Sequence, residues 1–160
     1  MEHELELISS VYSVYYEDIR ALRASLKPTD GLLGFGKRPD SDPCHTVFTQ
    51  RLEKALTELV RARPSGEAAE SVLRFMFSEP KAHEDDSISY WMLIAVHGMC
   101  GALVPFLSRE EAAALSAFYR ESYPKHTLLP VQNELLKSLE ARGGKTGELK
   151  KRFGFFGRRA

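Results

Sequence analysis

The sequence predicts an all-α protein: a single-domain bundle of five to six helices around a central buried helix at about residues 87–104. Three observations predict it. Apolar residues recur three or four apart in most segments, the period of a helix with one buried stripe. Prolines, glycines and cap residues fall at segment ends, where helices begin and stop. One segment, residues 88–107 (ISYWMLIAVHGMCGALVPFL), has no Asp, Glu, Lys or Arg and gives the others something apolar to pack on. No segment alternates with the period of two that a half-buried strand requires.

In the first helix Leu5, Ile8, Tyr12, Tyr15, Ile19, Leu22 and Leu26 form one stripe, and Val11 and Val14 widen it beyond a narrow coiled-coil seam. Pro28 ends this helix and opens a loop, residues 28–42, with three glycines and two prolines. Asp42 is a good N-cap and Pro43 suits the first position of the second helix. There Phe48, Leu52, Ala55, Leu56 and Leu59 form the buried face, and Arg51, Lys54, Glu58 and Arg61 the wet one; Pro64 closes it. Ser65 caps a third helix with Val72, Leu73, Met76 and Phe77 inward, and Pro80 is expected to stop it. The charge-free segment comes fourth. Ser108 and Glu111 make a capping box for the fifth helix, whose Leu115, Phe118 and Tyr119 face in. Pro130 opens the sixth, with Leu135, Leu136 and Leu139 apolar, and Gly143-Gly144 ends it.

By length alone residues 88–107 admit a membrane span. Pro105 lacks an amide hydrogen and restricts Val104, so regular helix is expected to stop near Leu103. That leaves about 25 Å of helix against a hydrocarbon core of about 30 Å. The surrounding amphipathic helices need a core, so the segment is read as that core, with Gly98 and Gly101 where another backbone approaches closely.

The 160 residues suffice for one domain. Net charge is zero, which excludes a global field toward nucleic acid or membrane, but the charge is unevenly placed. Residues 143–160 carry six basic side chains against one acid, Glu148, and so sum to +5; residues 1–142 therefore sum to −5. The chain divides into a helical bundle, 1–142, and a basic, Phe/Gly-containing tail, 143–160. The tail interleaves Lys150, Lys151, Arg152, Arg158 and Arg159 with Phe153, Phe155 and Phe156, a pattern that suits an anionic membrane surface, single-stranded nucleic acid, or folding back onto the acidic body or a second subunit. Two cysteines, Cys44 and Cys100, make no disulfide framework, and the acidic N-terminus is unlike a signal peptide; both point to a cytoplasmic chain.

Motifs with chemistry are few. Gly31 to Lys37 spells G-x-x-x-x-G-K but has Arg38 where a phosphate-binding loop needs a hydroxyl, and a helix rather than a strand precedes it. Cys44 and His45 occupy the first turn of the second helix, where free amides favour a thiolate. His97 and Cys100 lie three apart, on one face of the central helix. With Cys44 and His45 they contain zinc-type donors, but not at the spacing of a compact zinc module, so neither metal nor cofactor is assigned. The leading expectation is a non-catalytic interaction or regulatory module that binds a protein partner or self-associates. The alternative is a small-ligand or enzymatic pocket beside His97 and Cys100, with Cys44 or His45 in reach and the tail on membrane or nucleic acid.

Overall fold

A computed structural model describes residues 2–25, 43–83 and 87–144, apart from the side chains of residues 43 and 87. The described residues form the expected all-α bundle, with six main helices. They are α1 (Glu2–Ser25), α2 (Pro43–Arg61), α3 (Gly66–Ala82), α4 (residues 87–106), α5 (Arg109–Ser122) and α6 (Pro130–Arg142). A single turn, Lys125–Thr127, lies between the last two. The glycine-rich loop at 31–38, Asp42 and the tail beyond Gly144 lie outside the described residues.

The predicted stripes bury over their central residues; Leu5 and Leu22 of the first are half-buried, and Leu26 and Pro28 lie outside the described residues. In α1 the stripe contributes Ile8, Tyr12, Tyr15 and Ile19, and in α2 Phe48, Leu52, Ala55, Leu56 and Leu59. Val14, by contrast, is exposed. Ser65 caps α3 by accepting from the Ala68 amide at 3.1 Å. At α5 the capping box is complete: Ser108 Oγ accepts from the Glu111 amide and Glu111 Oε2 from the Ser108 amide. Pro130 is the first residue of α6, and Gly144, with φ of +88°, ends the chain's path out of that helix in a conformation suited to glycine.

Pro80 does not stop α3, which runs on to Ala82. A proline inside a helix withholds the N–H owed to the carbonyl four residues back, here that of Met76. The helix persists because tertiary contacts hold its last turn: Ser89 donates to the Pro80 carbonyl at 2.9 Å and Tyr123 to that of Phe77.

α4 is a composite. Ser87–Trp91 is α-helical, Met92–Val96 is a π-helical turn, His97–Cys100 is α-helical and Gly101–Phe106 is 3-10 helix. Regular helix thus ends at Cys100, and a tighter helix carries the chain through Pro105. These changes of pitch keep one line of side chains on the core. Residues four apart on an α-helix drift by about 40° per step. The wider π turn absorbs that drift, so Ile88, Met92, Val96 and Cys100 all bury. The 3-10 turn then suits the three-residue step to Leu103.

α3 packs on α1, α4 and α5, while α4 packs on α3 and α6. The expectation that α4 is enclosed on all sides therefore holds only for its inner face. On the other side Tyr90 is 53% exposed and Ile94 43%, and Gly98, Ala102 and Pro105 continue the same stripe at the surface. Residues 88–106 are long and apolar enough to cross a membrane by length and composition, with a mean hydropathy of 1.5. Their inner face is nevertheless committed to the bundle. Gly98 does sit at a close approach: a Cβ there would lie 3.3 Å from Val131 Cγ2 of α6. Gly101 does not, since a Cβ there would meet nothing within 4 Å. It marks the change to 3-10 helix at the floor of an open groove.

Candidate functional site

Two features of α4 are candidates for function: the buried polar chain on its inner face, and the open face opposite.

His97 begins the α-helical turn after the π turn, its amide donating to the Met92 carbonyl five residues back. Such an insertion re-aims the side chains that follow it. The imidazole is completely buried among Phe77, Tyr119 and Tyr123, with ring centroids 5.5–5.7 Å away. Its Nδ1 lies 2.8 Å from Tyr119 Oη. Tyr119 Oη also interacts with the amide of Gln132, itself buried, whose Oε1 accepts from the Leu129 amide at 2.9 Å. Because the Gln132 oxygen is already accepting, its NH₂ is the group left to donate to Tyr119. Tyr119 Oη and His97 Nδ1 share one hydrogen bond, in which the hydroxyl or the ring donates according to the imidazole tautomer; the other ring nitrogen is Nε2. That nitrogen makes no bond of full geometry, but the Met76 carbonyl, deprived of its helical partner by Pro80, interacts with the ring. The chain of polar groups thus runs from the α6 N-terminus through α5 to α3, and each link fixes the next.

The electrostatics follow from burial. Desolvation lowers the His97 pKa from 6.5 to about 4, outweighing the Met76 carbonyl, so the ring is neutral at pH 7. The same cause raises Tyr119. Cys100 is also fully buried, its thiol donates to the Val96 carbonyl at 3.5 Å, and desolvation pushes its pKa well above the usual thiol range. A thiol so held is poorly suited to nucleophilic attack.

Cys44 and His45 do occupy the first turn of α2. Cys44 is half-buried against the core. His45 is buried, pairs through Nδ1 with Tyr15 Oη, and stacks on Trp91 at 4.9 Å. It therefore meets α4 near residue 91, while His97 faces α3 and α5. Among the described residues no group of three or more His, Cys, Asp or Glu converges as a metal site. The tail residues Lys150, Lys151, Arg152, Phe153, Phe155, Phe156, Arg158 and Arg159 lie outside the described residues.

The open face is shaped as well as apolar. Between α4 and α6 runs a groove of about 190 Å³ lined by His97, Gly98, Gly101, Val131, Glu134, Leu135 and Ser138. The glycines form its floor, Val131 and Leu135 an apolar wall, and Glu134 and Ser138 a polar rim. Cys100, Cys44 and His45 do not line it. The groove opens beside the exposed stripe of Ile94 and Tyr90.

Sequence reasoning did not find Tyr119, Gln132 or the Met76 carbonyl as partners of His97. One signal was available: Pro80 four residues after Met76, within a helical pattern, marks a carbonyl in need of a donor. No protein-family model, curated protein or solved structure matches this chain.

Proposed function

We propose that this chain is a non-catalytic helical interaction module whose docking face is the outer side of α4 together with its groove against α6. The observation that carries this reading is the exposure of Tyr90 and Ile94, 53% and 43%, in a segment without a single charged residue. Isolated apolar residues at a surface are ordinary, but a continuous stripe beside a groove is characteristic of an interaction site. A bulky aromatic next to small residues also offers an anchor and a cleft, the pairing from which binding energy is concentrated. The alternative of a chemical site is weakened by where the reactive groups lie: His97 is held in the core by its polar chain and Cys100 by Val96.

The test places the photo-cross-linker p-benzoylphenylalanine at Tyr90, a near-isosteric change, and at Lys54 on the exposed side of α2 as control. Irradiation of the full chain in expressing cells is expected to give a discrete heavier adduct from position 90 and none from position 54. The adduct's mass distinguishes a second copy from another protein. Equal behaviour of the two positions would remove the case for this face.

A further inference from the structure

The docking face has a candidate occupant within the same chain. We propose that the basic, phenylalanine-bearing segment 150–159 folds back into the groove between α4 and α6 and covers the outer side of α4. This rests on reading that face as a docking surface, and it names what docks there.

Shape gives the first argument. Gly98 and Gly101 leave the groove floor without side chains, and at Gly101 nothing lies within 4 Å of where a Cβ would be. An aromatic ring can therefore settle over Gly101, beside Leu135 and Ser138, where Val131 does not close on α4 as it does at Gly98. The segment supplies Phe153, Phe155 and Phe156, with Gly154 and Gly157 allowing its backbone a close approach.

Charge gives the second. Lys150, Lys151 and Arg152 precede the phenylalanines and Arg158 and Arg159 follow them, so a ring seated in the groove carries cations on both sides. The groove's rim holds Glu134, which is exposed and bound only weakly by Lys137 at 3.4 Å. More broadly, a tail of +5 belongs to the same chain as a body of −5.

Reach gives the third. Arg142 Nε donates to the Leu107 carbonyl at 2.8 Å, so α6 delivers the chain beside the C-terminal end of α4. The described chain stops at Gly144, and Phe153 lies nine residues beyond, a reach of up to about 30 Å. Ser138 and Val131 stand about 9 and 20 Å back along α6 from Gly144. The segment can thus run the length of the groove without crossing the molecule. A tethered occupant also acts at high effective concentration, so any other protein must displace it.

The experiment uses the full chain with p-benzoylphenylalanine at Ser138, an exposed position on the rim, with circular dichroism confirming the fold. Irradiation of the dilute protein is expected to join position 138 to the peptide bearing Phe153, Phe155 and Phe156, in a species of monomer mass. Replacing the three phenylalanines by serine is expected to lower the yield by about tenfold. Glu134→Lys is expected to lower it by a smaller factor, and added salt to mimic that change. The proposal is overturned if the folded monomer yields no such cross-link, if the cross-link occurs only in a dimer, or if the segment binds anionic vesicles while position 138 never meets it. Repeating the Tyr90 cross-linking without residues 145–160 separates the two readings. Adducts there, with no tail contact at position 138, sink only the tail; silence at both positions sinks the docking face as well.

Discussion

The two faces of α4 have nearly the same chemistry and opposite fates. Inward lie Ile88, Met92, Val96, Cys100 and Leu103, all buried; outward lie Tyr90, Ile94, Gly98 and Ala102, at the surface. Neither face carries a charge. The difference arises from neighbours: α3 packs on the inner side, whereas of the outer residues Gly98 meets Val131 of α6 and Tyr90 and Ile94 stay exposed. Hydrophobicity thus states that a surface must leave water, while packing partners decide whether the chain covers it itself or leaves it to something else.

The comparison is broken most sharply by paired truncations. Leu103→Ala empties a fully buried site and is expected to cost about 2–5 kcal/mol in urea denaturation. Ile94→Ala, on the other face, is expected to change stability by less than about 0.5 kcal/mol while weakening Tyr90-directed cross-linking. Similar losses from both would mean that the outer face is as well packed as the inner one.

Next in size is the response to acid. The folded His97 pKa of about 4 lies below the ordinary histidine value of 6.5. Between these values the unfolded chain binds a proton that the folded chain refuses. Stability from this group is therefore complete above pH 6.5 and declines as pH falls toward 4, by roughly 3 kcal/mol in all. Denaturation midpoints measured from pH 7 to 4 should fall less steeply in His97→Gln, although that variant starts lower at pH 7. Parallel slopes in the two proteins would show that His97 is not the group refusing the proton.

The smallest effect sharpens the contrast between the two glycines of the groove. Both stand in helical backbone, where alanine is favoured over glycine by up to about 1 kcal/mol. Gly101→Ala meets open space and is expected to raise the melting temperature, whereas Gly98→Ala presses on Val131 and is expected to gain less or lose. If Gly98→Ala stabilises as much as Gly101→Ala, the close approach of α4 to α6 is not confining.

Much of the fold was legible in the sequence. The stripes of α1 and α2, the Ser65 cap, the Ser108–Glu111 box, Pro130 and the closing glycines are local signals, since cap chemistry and helical spacing act within a few residues. The facing of α4 was not legible, and the reason lies in the segment itself. Where nearly every position is apolar, spacing carries no information about which side is covered. The π turn and the 3-10 turn that set the facing are responses to packing. Pro80 misled for a related reason: its cost to α3 is local, but Ser89 and Tyr123 bond the carbonyls of the last turn from elsewhere in the chain. Of the residues singled out as a site, His97 and Cys100 are both buried, His97 against Tyr119 and Cys100 against the Val96 carbonyl, and nothing in their spacing told which groups would occupy them.

The sequence by itself determined that the chain is helical, where most helices begin and end, and that residues 88–107 supply apolar surface for the other helices to pack on. These follow from periodicity, caps and the cost of hydrating apolar side chains, which are properties of short stretches. Only the tertiary structure decided which half of α4 the bundle covers, that His97 is held neutral in a polar chain reaching the Met76 carbonyl, and that a groove floored by glycine opens toward α6. Those outcomes depend on which surfaces, remote in sequence, fill the same space.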